Sequence, residues 1–175
     1  MMSTQIRQDD FNGKPLIVLG LGSNKGDSRK IILDAVKALE ELLSELRCAS
    51  LYETEPLYVI DQDRFINTVV CGYFKLPVSP QALLKKINSI ESRFGRDRSR
   101  ERRWGQRPLD IDILLFGNLL LNEKDLQIPH PRLKERRFAL QPLLELIPDA
   151  AEPGTGLLYR DIISTLPDYG VSLLA

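Results

Sequence analysis

The sequence predicts an α+β domain: an antiparallel sheet with helices packed on it, in the split βαβ order. Three observations predict it. Stretches of strand and helix character follow one another as strand, helix, strand, strand, helix, strand. The segments "PLIVLG" and "RFINTVVCGYFKL" are rich in β-branched and aromatic residues, as strands are. Two further segments carry apolar residues at helical spacing behind good capping residues. At 175 residues, 43% of them hydrophobic, the chain suits one domain with a substantial core. Residues 1–14 read as a flexible tail and 15–175 as a single domain.

The elements follow in order. Leu16 to Leu19 form an apolar run that ends in glycines, as an interior strand entering a turn does. Asp27 or Ser28 caps a helix whose apolar face is Ile32, Val36, Leu39, Leu43 and Leu46, which carries it to about residue 47. A short strand is expected in "CASLYETEPL", and a long one from about Phe65. Ser79-Pro80 opens a second helix, with proline at its first position. Leu83, Ile87, Ile90 and Phe94 form its stripe, and Gly95 closes it. Residues 96–107 have no apolar period and read as a loop. "LDIDILLFGNLLLN" gives a strand, a turn at Gly117-Asn118 and a short strand; a Pro-bracketed turn and two short helices complete the chain. This order is ferredoxin-like: two helices cover one face of the sheet, leaving the other to ligand and to mobile loops.

Bulk composition excludes several classes. Lys+Arg and Asp+Glu both number 24, so no global charge draws the chain to nucleic acid or to a membrane surface. No apolar run is long enough to span a membrane, and the first residues lack the apolar core of a secretory signal. A cytoplasmic protein is the resulting expectation. Cys48 and Cys71 form no metal-type cluster and read as two buried free thiols.

The chemistry concentrates around "RPLDIDILLFG". Strand side chains alternate, so Asp110 and Asp112 share one face while Ile111 and Ile113 turn to the other. Two carboxylates on one face suit Mg²⁺, which takes oxygen ligands; a solvated strand end is the plainer reading. Just upstream stand Arg96, Arg98, Arg100, Arg102, Arg103 and Arg107. Arginines grip phosphate bidentately and keep their charge. Acids for Mg²⁺ beside arginines for phosphate fit a nucleotide polyphosphate. The interleaved Asp97 and Glu101 equally fit a salt-bridged surface loop. Trp104 either stacks on a ring or anchors that loop. "GLGSNKGD" lacks both the dinucleotide and the Walker A patterns and reads alone as a tight turn. Phe65 and Asn67 share a strand face, where a ring and an amide can hold a planar heterocycle; an edge aromatic beside a tolerated Asn is the plainer reading of the pair alone. His130, the only histidine, is held between Pro129 and Pro131, with Arg132 and Arg136 following.

Taken together, "GLGSNKGD", "SLYETEPL", "FINTVV", "SIESRFGR", "RRWGQRPLDIDILLFG" and "IPHPRLKERRFALQPL" resemble the 6-hydroxymethyl-7,8-dihydropterin pyrophosphokinases of folate biosynthesis. The resemblance runs in family order over about residues 16–166. It implies the ferredoxin-like fold and transfer of pyrophosphate from ATP to 6-hydroxymethyl-7,8-dihydropterin, giving the pterin diphosphate and AMP. It further implies that Asp110 and Asp112 hold two Mg²⁺ ions. Arg96 and Arg103 join these acids in catalysis. Phe65 and Phe138 sandwich the pterin ring, and Asn67 with the backbone near Thr54 and Leu57 reads its edge. Glu91, Arg98, Trp104, Arg107, His130 and Arg136 lie around ATP. Partners would be these two small molecules, with no nucleic acid, no membrane and a monomeric protein. Gln106 departs from the family, which usually has proline or a small residue there. A ferredoxin-like RNA-binding module is the alternative of a different class. The zero net charge and the absence of an aromatic-rich central strand argue against it.

Overall fold

The computed structural model describes residues 13–55, 63–97, 106–168 and 170–174. Strand β1 (Leu16–Ser23) runs through the middle of the sheet. Its continuous apolar character follows from burial on both faces. Ile17, Leu19 and Leu21 face the cluster that contains helices α1 (Ser28–Glu40) and α2 (Pro80–Arg93), while Leu16 and Val18 face the opposite one. Asp27 caps α1 by accepting from the Lys30 amide, and Ser79 caps α2 from the Ala82 amide, with Pro80 first in the helix.

Strands β2 (Leu43–Cys48), β3 (Tyr52–Thr54), β4 (Phe65–Phe74) and β5 (Asp110–Phe116) complete the frame. β5 and β4 flank β1, both antiparallel to it. The other edge of the long β4 is shared: β2 pairs with its second half and β3 with its first. This is the expected split βαβ arrangement. A short hairpin of β6 (Leu121–Asn122) and β7 (Gln127–Ile128) follows β5. The chain then forms a 3-10 turn (Leu133–Glu135), α3 (Arg137–Leu146) and α4 (Tyr159–Ile163). A strand not anticipated from sequence, β8 (Ser172–Leu173), adds to the free edge of β3. It is two residues long, below what a period-two pattern can reveal.

Three expectations need correction. Helix α1 ends at Glu40 rather than near residue 47, and Leu43 and Leu46 lie in β2. Their spacing of three mimics a helix, but here it comes from a bulge. The β2–β4 register shifts between Ser44 and Arg47, and Glu45 adopts a φ of 51°. The extra residue lets both leucines reach the same core. Gly72 makes room for the bulge, since a Cβ there would sit 2.9 Å from the Ser44 carbonyl. Secondly, the sheet face away from α1 and α2 is not wholly open. Leu16, Val18, Val69, Cys71 and Leu115 make half of it apolar, and α3 covers that half with Ala139, Leu140 and Leu143. Thirdly, only Cys71 is a buried thiol, pushed up to about 11 by burial; Cys48 is exposed.

Glu145 fixes α3 to the sheet edge. Its carboxylate accepts from the Ser50 amide and hydroxyl and from the Tyr52 phenol. No helix among the described residues is long and apolar enough to cross a membrane.

Candidate active site

Beside the apolar part of this face, the sheet has a floor of glycine. Gly20 and Gly22 on β1 pair directly with Asp112 and Asp110 on β5, and Gly22 pairs on its other side with Asn67 on β4. Directly paired residues of antiparallel strands share a face. Two rows therefore cross the sheet: Asp110, Gly22, Asn67 in one, and Asp112, Gly20, Val69 in the next. Ile111 and Ile113 turn into the helix-side core, as alternation requires. The glycines leave a shallow gap between the acids and the amide. A Cβ on Gly22 would lie 3.0 Å from Asn67 Oδ1, and one on Gly20 would lie 3.3 Å from the Leu114 side chain.

Each acid is gripped by guanidinium. Arg96 and Arg107 both donate to Asp110, the latter at 2.7 Å. Arg136, at the start of α3, donates to Asp112 at 2.6 Å. Burial acts to raise the Asp110 carboxyl, but Arg107 and Arg96 outweigh it and hold it below the usual carboxylate range. Arg96 is itself buried, because it also donates to Glu91, a carboxylate 1% exposed on α2. Glu91 in turn accepts from the Ile111 amide at 2.8 Å. Of the residues expected around ATP, Glu91 thus sits behind Arg96 and ties α2 to the acid-bearing strand.

His130 lies on the Asp112 side, with Nε2 3.6 Å from its carboxylate and 3.4 Å from Arg136. Its Nδ1 accepts from the Arg132 amide at 3.1 Å, so the neutral ring carries its proton on Nε2. Burial lowers the imidazole pKa, and Arg136 and Arg132 add to that against the pull of Asp112.

Of the residues expected to hold a heterocycle, Asn67 lies across the glycine floor from the acids. Asn67, 5% exposed, donates from Nδ2 to Thr54 Oγ1 at 2.8 Å. That bond fixes the amide and leaves Oδ1 turned toward Gly22. Phe65 is half-buried two residues before it on the same face. Phe138 is half-buried on α3, with the Arg136 guanidinium 5.6 Å from its ring centre. The structure therefore brings together Thr54, Phe65, Asn67, Glu91, Arg96, Arg107, Asp110, Asp112, His130, Arg136 and Phe138 around one sheet surface. Leu57, Arg98, Arg103 and Trp104 lie outside the described residues.

Sequence reasoning missed two kinds of residue. Gly20 and Gly22 look like turn formers in the sequence, and only the β1–β5 register puts them beside the acids. Asn24, 1% exposed, donates its backbone N–H to the Arg107 carbonyl and accepts at Oδ1 from the Arg107 amide. Nothing local to "GLGSNKGD" signals that partner, 83 residues away.

Residues 18–148 match the family model described as 7,8-dihydro-6-hydroxymethylpterin-pyrophosphokinase. The chain is 41% identical over 138 residues to the 2-amino-4-hydroxy-6-hydroxymethyldihydropteridine pyrophosphokinase of Aquifex aeolicus, covering 78% of this chain and 83% of that one. It is 34% identical over 167 residues to the folic acid synthesis protein fol1 of Pneumocystis carinii, covering 95% of this chain but only 22% of the fungal protein's length. The wild-type HPPK-DHPS of Plasmodium falciparum has the same fold over 86% of this chain and 44% of that one, at a TM-score of 0.67 and 17% identity. With most of its length matched by the family model and by close relatives, this chain belongs to the 7,8-dihydro-6-hydroxymethylpterin-pyrophosphokinase family.

Proposed function

We propose that this protein transfers pyrophosphate from ATP to the hydroxymethyl oxygen of 6-hydroxymethyl-7,8-dihydropterin, in a Mg²⁺-dependent reaction that releases AMP. The observation that carries the proposal is the layout of one sheet surface. Acids paired with arginine stand at one side and a fixed amide, with Phe65 two residues before it on the same strand face, at the other, with glycine between. A planar ring held by Asn67, Phe65 and Phe138 would present its substituent to phosphates held at Asp110 and Asp112.

The donor set fits Mg²⁺. Asp110 and Asp112 offer oxygen only, on one face, and no group of three or more His, Cys, Asp or Glu comes together among the described residues. The protein would therefore supply two carboxylates, leaving further positions to phosphate oxygens and water. Two Mg²⁺ ions held there would neutralise the triphosphate and align it.

The protein's own residues do the rest by position and charge. The hydroxymethyl oxygen attacks the β-phosphorus, and the bond from that phosphorus to the oxygen bridging it to the α-phosphorus breaks. AMP departs with that oxygen, and the hydroxyl proton is released. Arg96, Arg107 and Arg136, now paired with the acids, are placed to turn to phosphate oxygens once the acids take up metal. Arg103, Arg98 and Trp104 would act on the same triphosphate. Neutral His130 offers an Nε2 proton to a phosphate oxygen. On the pterin side, Asn67 Oδ1 remains an acceptor for ring N–H groups, assisted by the backbone near Thr54 and Leu57. The enzyme is expected to act in the cytoplasm as a monomer.

The test is direct. Purified protein is incubated with ATP, Mg²⁺ and 6-hydroxymethyl-7,8-dihydropterin, and AMP is quantified by chromatography. AMP should form only when all three are present, and EDTA should abolish it. AMP formation without pterin, or ADP as the nucleotide product, would overturn the proposal.

A further inference from the structure

Glu145 is an acid in an unfavourable place. It stands in the last turn of α3, beside carbonyl ends whose dipole favours cations, and that turn holds no base to offset it. The carboxylate is turned instead to the stretch that leads into β3. The Ser50 N–H lies 3.1 Å from both of its oxygens. The Ser50 hydroxyl donates to Oε1 at 2.8 Å, and the Tyr52 phenol donates to Oε2 at 3.1 Å. Burial and the carboxylate itself push the phenol pKa up, so Tyr52 keeps the proton that it donates.

β3 needs such a hold. It is three residues long, and beyond it the sheet ends in the two residues of β8. A strand this short has few ladder bonds to fix its place. Helix α3 is anchored independently, by Ala139, Leu140 and Leu143 in its own core. Loss of the carboxylate would therefore free the strand rather than the helix. Tyr52 pairs directly with Asn67, and Thr54 with Phe65, so these four side chains share one face of the sheet. Thr54, two residues after Tyr52, accepts from Asn67 Nδ2 at 2.8 Å. The contacts thus run from Glu145 through Tyr52 and Thr54 to the Asn67 amide.

We infer that Glu145 is a positioning residue for pterin recognition, holding β3 in place so that Thr54 fixes the Asn67 amide in one orientation. This rests on the proposed reaction. Without Glu145 the strand loosens, Thr54 moves with it, and the amide that meets the ring edge is no longer set in advance. The acids are spared, because β5 stands on the far side of β1 from β4 and β3. The defect is therefore confined to the pterin.

The test follows AMP formation by wild type, Glu145→Ala and Glu145→Gln while each substrate is varied in turn. Glu145→Ala should raise KM for the pterin at least about fivefold, while KM for ATP and kcat stay within about twofold. Glutamine keeps an oxygen for Ser50, and its amide can donate to the Tyr52 oxygen. Glu145→Gln should therefore bring the pterin KM back to within about twofold of wild type. If wild type forms no AMP, the proposed reaction fails and this inference falls with it. If wild type is active and Glu145→Ala raises both KM values alike, or leaves the pterin KM unchanged, only the inference fails. A glutamine variant as impaired as the alanine one would also overturn it. Should Glu145→Ala not fold, Glu145→Asp decides. It keeps the charge but is one methylene shorter, so it cannot hold Ser50 and Tyr52 together. Its pterin KM should rise at least about threefold, and an unchanged value would overturn the inference.

Discussion

Glu91 and Arg96 form an ion pair with side-chain exposures of only 1% and 5%, five residues apart where α2 gives way to the arginine-rich segment. The pair does more than neutralise two charges. Through Arg96 it reaches Asp110, and through the Ile111 amide it reaches the strand that carries both acids. The helix end, the arginine segment and β5 are thus locked at one point.

Removing one partner of such a pair strands the other charge away from water. Glu91→Ala should cost roughly 3 kcal/mol, at the low end for a broken buried pair because Arg96 keeps Asp110. The Ile111 amide also loses its acceptor. Urea denaturation gives the number, and a loss below about 1 kcal/mol would show that the pair is not held as tightly as its burial implies.

Asp110→Ala and Asp112→Ala should each lower AMP formation at least about a hundredfold in saturating Mg²⁺, the scale on which a group stabilising transition-state charge acts. Circular dichroism should show both variants folded. Near wild-type turnover in either would remove that acid from the metal-holding role.

Gly22 tests the pterin side alone. In Gly22→Ala the new methyl would sit 3.0 Å from Asn67 Oδ1, and Asn67 cannot easily yield because Thr54 holds its amide. The Michaelis constant for the pterin should rise at least about fivefold, equivalent to about 1 kcal/mol, while that for ATP stays within a factor of about two. Equal effects on both constants would mean that the glycine floor serves general packing instead.

Acid should weaken the fold in two stages. The His130 imidazole is lowered from its ordinary value of 6.5, so the unfolded chain takes up a proton that the folded chain resists. Stability is full above about pH 6.5 and declines as pH falls below it. Asp110 is lowered from its ordinary 3.8, so its contribution is present above that value and is lost as pH falls through the folded pKa. Chemical denaturation at intervals from pH 7.5 to 3 should show both declines, and His130→Gln should flatten the first. Unchanged stability of wild type between pH 7 and 5 would contradict the geometry around His130.

Much of this was legible in the sequence because short-range periodicity carries it. Alternation in "DIDILL" puts both acids on one face, and the same rule pairs Phe65 with Asn67. Ser79-Pro80 and Asp27 mark helix starts by their own chemistry. Periodicity misled where a bulge intervened: Leu43 and Leu46 match a helix and a bulged strand equally well, and only the partner strand at Gly72 distinguishes them. Family likeness, rather than spacing, joined acids, arginines and aromatics into one site.

The sequence by itself determined much of the frame: the order of the long strands and two main helices, the alternation of faces along β4 and β5, and the residue types suited to phosphate, metal and a flat ring. Tertiary structure decided which of those residues meet. It set Glu91 behind Arg96, assigned Arg107 to one acid and Arg136 to the other, and turned a turn residue, Asn24, into a bridge across 83 positions. Period and propensity act within a few residues of the chain. Strand register and helix packing fix contacts between residues far apart in it, and no local pattern records them.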